Sequence, residues 1–181
     1  MYDRFKTRAE AVGAEVHRFR TASDAKEFIL SFLKNEGAAD ESNAYAVWSD
    51  TGFLNEAEKN GFVSKVPGLK FEITRQLAAD SLAGITGMSY ALADTGSLVS
   101  DQTSINERLA STLPAIHIAI VATSNILEDK TAVFKKIRPE NSSFIAFITG
   151  PSRTADIERV LTIGVHGPKR LVIVFVDEME G

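Results

Sequence analysis

The sequence predicts an α/β fold built on an open, largely parallel sheet that is flanked by helices. Apolar runs typical of buried strands alternate with amphipathic segments typical of helices. The clearest apolar run, residues 171–176, contains no polar side chain and therefore predicts a strand covered on both faces. The chain has 181 residues, of which 44% are hydrophobic and 24% charged, and we expect one domain over residues 1–181.

The first part of the chain, residues 1–80, is predicted to alternate helices and strands. Helical spacing of apolar residues and the glycines that follow them set the helix bounds. In order, the predicted elements are a helix at 2–12 ended by Gly13, a short strand at 15–19, a helix at 23–33 with Ser23 as N-cap, a strand at 44–48, a helix at 53–60 closed by Gly61, and a strand followed by a helix within 68–82.

The second part, residues 81–181, contains the motifs. Ser104 and Glu107 form a sequence capping box, which predicts the start of a helix that Pro114 limits. The remaining predicted elements are a strand at 115–120, a helix at 133–137 that stops before Pro139, a strand at 144–149, a helix at 154–161 and the strand at 171–176.

Composition excludes several classes of function. The net charge is −4 and the basic residues are not clustered, so we expect no nucleic-acid partner. The chain has no cysteine, which excludes disulfides, thiolate nucleophiles and thiolate-held clusters within it. The three histidines show no metal-ligand spacing, and His117 is expected to be a satisfied buried histidine. The charged start and the short apolar runs predict a cytoplasmic protein without a membrane span.

The strand–loop–helix junction Gly150-Pro-Ser-Arg-Thr154 is predicted to bind an anion. Ligands of open α/β sheets gather at the carboxyl ends of strands, and the N–H groups at a helix start favour anions. Ser152 or Thr154 can cap the helix, and Asp156 suits its dipole. The positive charge of Arg153 is unfavourable near the positive end of that dipole. Its presence there indicates a carboxylate or phosphate partner, in a ligand or in the protein. The alternative is a surface loop with a solvated arginine.

A second loop, Gly164-Val-His-Gly-Pro168, precedes the final predicted strand. Gly164 and Gly167 let the backbone turn sharply and expose the imidazole of His166. Near neutral pH this imidazole can donate to an anion or act as a general acid or base. The alternative is a tight turn whose histidine is merely exposed.

A third polar segment consists of Asp94, Thr95, Gly96 and Ser97, and is predicted to form a hairpin or turn that faces a site. Its Asp-Thr-Gly triplet is shared with aspartic proteases, whose chemistry needs two such carboxylates. The chain has one copy on an α/β pattern, so we exclude that activity. We expect this segment to meet the other two at one rim of the sheet, because strand ends at one edge lie close together.

Five stretches, in this order, resemble the LUD-domain family, of the short lactate-utilisation protein C type. They are Gly84-Ile-Thr-Gly87, Ala91-Leu-Ala-Asp-Thr-Gly-Ser-Leu-Val99, Arg108 with Leu113-Pro-Ala-Ile-His-Ile118, Thr149-Gly-Pro-Ser-Arg-Thr-Ala-Asp-Ile-Glu158 and Gly164-Val-His-Gly-Pro168. The last two strings are the most specific.

The resemblance implies a fold similar to sugar-phosphate isomerases, CoA-transferases and formyltetrahydrofolate cyclo-ligases. It also implies a role in the oxidation of L-lactate to pyruvate, as a subunit beside iron–sulfur partner proteins. Since this chain has no cysteine, we expect no cofactor in it and iron–sulfur clusters on separate partners.

Three functions stay open at this point: a lactate-oxidising subunit, a stand-alone isomerase-like or transferase-like enzyme acting on a phosphorylated or carboxylated metabolite, and a non-catalytic assembly module. The candidates for a catalytic group are Asp94, Glu158 and His166. The residues predicted to bind a small anionic metabolite are Thr95, Gly96, Ser97, Gly150, Ser152, Arg153, Thr154, Asp156, Gly164, His166 and Gly167.

Overall fold

A computed structural model describes residues 1–138, 140, 142–155 and 161–179. The helices are α1 (Tyr2–Ala11), α2 (Ala22–Asn35), α3 (Glu56–Lys65), α4 (Arg75–Ala79), α5 (Ile105–Thr112) and α6 (Lys130–Phe134). The strands are β1 (Glu15–Thr21), β2 (Tyr45–Ser49), β3 (Leu69–Lys70), β4 (Ser81–Gly87), β5 (Tyr90–Leu92), β6 (Ser97–Asp101), β7 (Ile116–Ala122), β8 (Ile126–Leu127), β9 (Ile145–Ile148), β10 (Arg153–Ala155), β11 (Leu161–Ile163) and β12 (Arg170–Glu178).

The main sheet has six strands in the order β1-β12-β7-β4-β2-β3, and every neighbouring pair is parallel. Successive side chains of β12 point to opposite faces. Val172, Val174 and Val176 pack in the core that contains α2, whereas the residues between them pack in a second core that contains α1. Both faces are therefore covered, and the predicted α/β class with a largely parallel sheet is confirmed.

The bounds of several helices differ from the sequence predictions: the helix predicted at 53–60 is α3 at Glu56–Lys65, and the helix predicted at 133–137 is α6 at Lys130–Phe134. Thr21, rather than Ser23, caps α2, because its Oγ1 accepts a hydrogen bond from the N–H of Asp24 at 3.1 Å. Gly61 lies inside α3 and does not close it. That helix ends one residue before Val66, where the following Pro67 disfavours helical backbone.

A second sheet has four strands in the order β8-β5-β6-β9, and its β5–β6 and β6–β9 pairs are antiparallel. The predicted hairpin around Asp94 is confirmed as the β5–β6 turn. This second sheet packs on the core that contains α1, through Ala91, Leu98 and Ile148. Its presence was not predicted, since the sequence indicated a single layer of strands.

The predicted helix at 154–161 is wrong at both of its described ends. Residues Arg153–Ala155 form β10, which pairs antiparallel with β11. Residues 156–160 lie outside the described residues. The loops that flank the two strands are held together by backbone hydrogen bonds, from Ser152 to Pro168 at 2.8 Å and from Gly164 to Ser152 at 2.9 Å. These bonds bring the flanking segments side by side and favour a strand pair.

Candidate functional site

The two most specific motif loops meet at the amino end of the main sheet. Gly150 follows β9 of the second sheet, and the loop 164–168 leads into the start of β12. The predicted site at the carboxyl ends of parallel strands is therefore wrong for both loops. They instead border a cavity of about 460 Å³, named here the motif cavity. Four of the predicted ligand-binding residues line it: Gly150, Ser152, His166 and Gly167.

One wall of the motif cavity is apolar and consists of β9 and Phe144, the residue before it. The polar wall includes Gln102, which follows β6, and Ser111 and Thr112 at the end of α5. The Gln102 amide donates to Ser111 Oγ at 3.0 Å, and Ser111 Oγ donates to the Arg108 carbonyl at 3.2 Å. An apolar wall facing a few fixed polar groups is typical of small-molecule sites, which occupy roughly 300–1,000 Å³.

His117 lines the motif cavity from the start of β7. The side chain is buried, and its Nε2 lies 2.8 Å from Thr86 Oγ1, as expected for a satisfied buried histidine. Burial lowers the pKa of His117 to about 4, so the ring is neutral at physiological pH. His117 therefore offers a hydrogen-bonding group to the cavity but no positive charge.

The positive charge beside the motif cavity comes from Arg108 on α5. Its guanidinium lies over the ring of Phe144, 5.2 Å from the ring centroid, and Phe144 lines the cavity. Among the described residues, the ion pairs within 4.0 Å do not include Arg108. Arg108 is not among the residues that line the cavity, so its charge lies next to the cavity through its contact with Phe144.

Arg153 does not face the motif cavity. Its guanidinium donates a hydrogen bond to the backbone carbonyl of Val12, which ends α1. Gly150 also packs on this helix end, since a Cβ at Gly150 would lie 2.5 Å from the Val12 carbonyl oxygen. The structure thus supplies Arg153 with a protein partner that the sequence did not identify, a helix C-terminus.

The Asp94–Ser97 turn does not line the motif cavity. Gly96 packs on α1, where an added Cβ would lie 2.3 Å from the Ala9 nitrogen. Asp94 Oδ1 is buried and has no hydrogen-bond partner among the described residues. A hydrogen bond of 2.7 Å between Ser97 Oγ and Thr149 Oγ1 links the turn to the residue before the first motif loop. Two of the three predicted segments, the loop with Gly150 and Arg153 and the turn with Gly96, therefore contact α1, and the three do not line one common cavity.

The other predicted residues have separate positions. Thr154 lies in β10, where it pairs with Thr162. Gly164 has a φ of +76° in the loop before β12, a conformation that favours glycine. Asp156 and Glu158 lie outside the described residues, so their predicted roles stay predictions.

Sequence reasoning missed Gln102 and Ser111 because neither lies in a polar motif. A signal was available for Ser111, which precedes Pro114 at the end of an amphipathic helix whose carbonyls need partners. Gln102 carries no such signal, because its position depends on the second sheet. Arg108 was noted as part of the resemblance, without a role.

No helix in the described ranges has the length and apolar character needed to cross a membrane. In the same part of the chain, no group of three or more His, Cys, Asp or Glu side chains could hold a metal ion.

The sequence profile of the LUD domain matches residues 2–176. The chain belongs to the LUD domain family. Lactate utilization protein C 1 of Bacillus mycoides is 37% identical over 101 residues, which cover 52% of this LUD domain and 43% of that protein. Lactate utilization protein C of Macrococcus caseolyticus is 37% identical over 109 residues, covering 57% and 47%, respectively. This LUD domain thus matches about half the length of these relatives.

A solved structure supports the fold of this LUD domain. The crystal structure of a DUF162 family protein from Deinococcus radiodurans superposes with a TM-score of 0.66 at 18% sequence identity. The superposition covers 97% of this chain and 95% of that one. The likeness extends over both sheets and shows the fold alone.

Proposed function

We propose that this LUD domain takes part in the oxidation of L-lactate to pyruvate and binds a small carboxylate in the motif cavity. Its relatives are named lactate utilization protein C, and the two loops that border the cavity lie within residues 2–176, which match the LUD domain. The observation that carries the proposal is the position of Arg108, a cation without an acidic partner among the described residues, beside a cavity lined by hydroxyl and amide groups.

The reaction requires an electron acceptor. L-lactate loses a pair of electrons and a pair of protons when it becomes pyruvate. The chain contains no Gly-x-Gly-x-x-Gly nucleotide fingerprint and no cysteine. We therefore propose that the electrons pass to a separate iron–sulfur protein, and that this LUD domain binds and orients the acid.

The size of the motif cavity supports a shared site. A volume of about 460 Å³ exceeds what a three-carbon acid needs. The carboxylate would lie near Arg108, with His166 and His117 as hydrogen-bonding groups around the hydroxyl carbon. The remaining space would admit a group from the electron-accepting partner, which would complete the site.

Calorimetric titration of the purified chain with L-lactate tests the binding step. We expect saturable binding that weakens about tenfold in Arg108→Gln, because a charge-assisted hydrogen bond is lost. Arg20→Ala is the matched control, since Arg20 pairs with Glu178 on the surface. Stabilisation by sugar phosphates or CoA esters and not by lactate would instead favour the isomerase-like or transferase-like function.

A pull-down from lactate-grown cells tests the electron-transfer step. We expect the tagged chain to recover proteins that contain iron and acid-labile sulfide, and the recovered assembly to reduce a dye with L-lactate. The chain alone should not reduce the dye. Lactate oxidation by the purified chain without a partner would overturn the proposed division of roles.

A further inference from the structure

The second sheet has an edge without a strand partner. In the order β8-β5-β6-β9, β9 is the outermost strand, and among the described residues it pairs with β6 alone. The backbone N–H of Gln102 donates to the carbonyl of Phe144 at 2.8 Å. The backbone groups of Phe144 and of every second residue after it therefore face β6. Those of Ile145 and Phe147 point to the opposite side, named here the open edge.

The open edge borders the motif cavity. Successive side chains of a strand point to opposite faces, yet the cavity is lined by every residue from Phe144 to Ile148. A cavity that is lined from both faces of an outermost strand lies along its edge. The backbone N–H and C=O groups of the open edge can therefore be reached through the mouth of the cavity.

Each face of β9 carries an exposed phenylalanine with a cation over its ring. On one face, the Arg108 guanidinium lies 5.2 Å from the ring centroid of Phe144. On the other face, Lys130 Nζ lies 4.9 Å from the ring centroid of Phe147, which is 6.2 Å from the ring of Phe134 on α6. The exposed fractions of the three phenylalanines lie between 36% and 48%. The open edge is thus flanked by accessible apolar surface on both sides.

The segment that begins at Lys130 is positively charged, although the chain as a whole has a net charge of −4. Residues 130–138 include no acidic residue and four basic ones: Lys130, Lys135, Lys136 and Arg138. All four are exposed, and the ion pairs that the described residues form within 4.0 Å include none of them. Lysines beside a sheet edge repel an identical edge, whereas they attract an acidic partner.

We infer that the open edge binds an extended acidic segment of a partner protein as an added strand. Addition of a strand to an exposed sheet edge is a general mode of peptide recognition. The segment would pair with the backbone of Ile145 and Phe147, its apolar side chains would lie on the exposed phenylalanine rings, and its acidic side chains would meet Lys130 and the basic residues after it. A nucleic acid would meet the same cations but could not pair with the backbone. The inference does not depend on lactate binding, so either can fail alone.

Fluorescence anisotropy of labelled peptides tests the docking. The probe is a short peptide of alternating valine and glutamate, and its counterpart carries lysine in place of glutamate. We expect the purified chain to bind the glutamate peptide saturably and the lysine peptide at least about tenfold more weakly. A glutamate peptide with proline in place of its central valines lacks N–H donors and should be weakened by a similar factor. No saturable binding, or equal binding of all these peptides, would overturn the inference.

Lys130→Glu tests the position of the charge. It should weaken binding of the glutamate peptide about tenfold or more, because an attraction becomes a repulsion. Lys65→Glu is the matched control, since Lys65 is exposed at the end of α3 and undergoes the same charge change away from the open edge. Thermal unfolding confirms that both variants are folded. Equal affinities in the two folded variants would place the peptide elsewhere and overturn the inference.

Amide hydrogen exchange followed by NMR tests the backbone pairing. The N–H groups of Ile145 and Phe147 should exchange at least about tenfold more slowly when the glutamate peptide is bound, whereas that of Ala146, which faces β6, should be protected in both states. Peptide binding without this protection would overturn the inference. Sedimentation velocity of the chain alone tests the other occupant, since a dimer that the glutamate peptide disperses would assign the open edge to a second copy. A DNA oligonucleotide that binds as tightly as the peptide would assign it to a nucleic acid.

Discussion

The guanidinium of Arg153 donates a hydrogen bond to the backbone carbonyl of Val12, across 141 positions of sequence. Val12 is the C-cap of α1, and the last carbonyls of a helix have no partner within the helix. A cation there is also favoured by the helix dipole. The arginine of the most specific motif thus attaches a loop to a helix end, where the sequence predicted that it would meet an anion.

Replacement of Arg153 with alanine should destabilise the fold and leave carboxylate binding nearly intact. We expect a loss of about 1 kcal/mol in the free energy of unfolding, because the exposed side chain loses its charged hydrogen bond to the Val12 carbonyl. Urea denaturation measures the change, with Arg20→Ala as a control that should cost less than about 0.5 kcal/mol. If Arg153→Ala left the stability unchanged but abolished lactate binding, Arg153 would have to contact the ligand, as the sequence predicted.

Gly150→Ala should cost considerably more than a glycine replacement that strains the backbone alone. Gly150 has a φ of +69°, and its Cβ would lie 2.5 Å from the Val12 carbonyl oxygen. Gly37 has a φ of +83° with nothing within 4 Å of the added Cβ, so Gly37→Ala isolates the backbone penalty of about 1 kcal/mol. We expect Gly150→Ala to lose at least about 2 kcal/mol by thermal or urea unfolding. If both variants lost the same free energy of unfolding, the end of α1 would have to shift away from the added methyl group without an energetic penalty.

The regular elements of this LUD domain were predictable because their signals are local. The apolar run of β12 and the glycine after α1 depend on neighbours in sequence, and both predictions are confirmed. The two described ends of the helix predicted at 154–161 were misassigned, because Arg153–Ala155 and Leu161–Ile163 pair as strands beside the bonds between Ser152 and the loop before β12. The position of the motif cavity was unpredictable for a related reason, since β9 belongs to a second sheet.

The stability of the chain should decrease in weak acid partly through His117. Burial lowers its pKa to about 4 in the folded protein, below the value of about 6.5 in an unfolded chain. The unfolded state therefore binds the proton first, and the contribution of the neutral ring is complete above about pH 6.5 and lost as the pH falls towards about 4. This linkage is worth up to about 3 kcal/mol.

His117→Gln should reduce that acid sensitivity. Free energies of unfolding from urea titrations at about pH 7 and about pH 4.5 give the pH effect for each protein, and their difference isolates the histidine. Carboxylates with lowered pKa values, such as Asp101 and Asp177, titrate in both proteins and cancel. The same pH effect in both proteins would mean that folding does not lower the pKa of His117.

Replacement of Arg170 should lower the free energy of unfolding more than replacement of a surface arginine such as Arg20. Its guanidinium contacts both carboxylate oxygens of Glu15, at 2.7 and 3.0 Å, and Glu36 at 2.7 Å, and it lies over the ring of Phe32. These contacts connect the start of β12 to β1 and to the end of α2. A lysine ammonium cannot form the paired hydrogen bonds of a guanidinium with both oxygens of a carboxylate. Arg170→Lys should therefore lower the free energy of unfolding by about 1–2 kcal/mol. The groups are only partly buried, which keeps the value this low.

A double-mutant cycle separates this pair from an ordinary surface contact. We expect a coupling energy of about 1 kcal/mol between Arg170→Met and Glu15→Gln, against less than about 0.5 kcal/mol for Arg20→Met and Glu178→Gln. The hydrogen bond from Arg170 is the main cause of the lowered pKa of Glu15. The stability that Glu15 contributes is therefore present above its unfolded pKa and lost as the pH falls through the lowered value, so the coupling should disappear in acid. A coupling that persists there would have to come from packing on Phe32 rather than from charge.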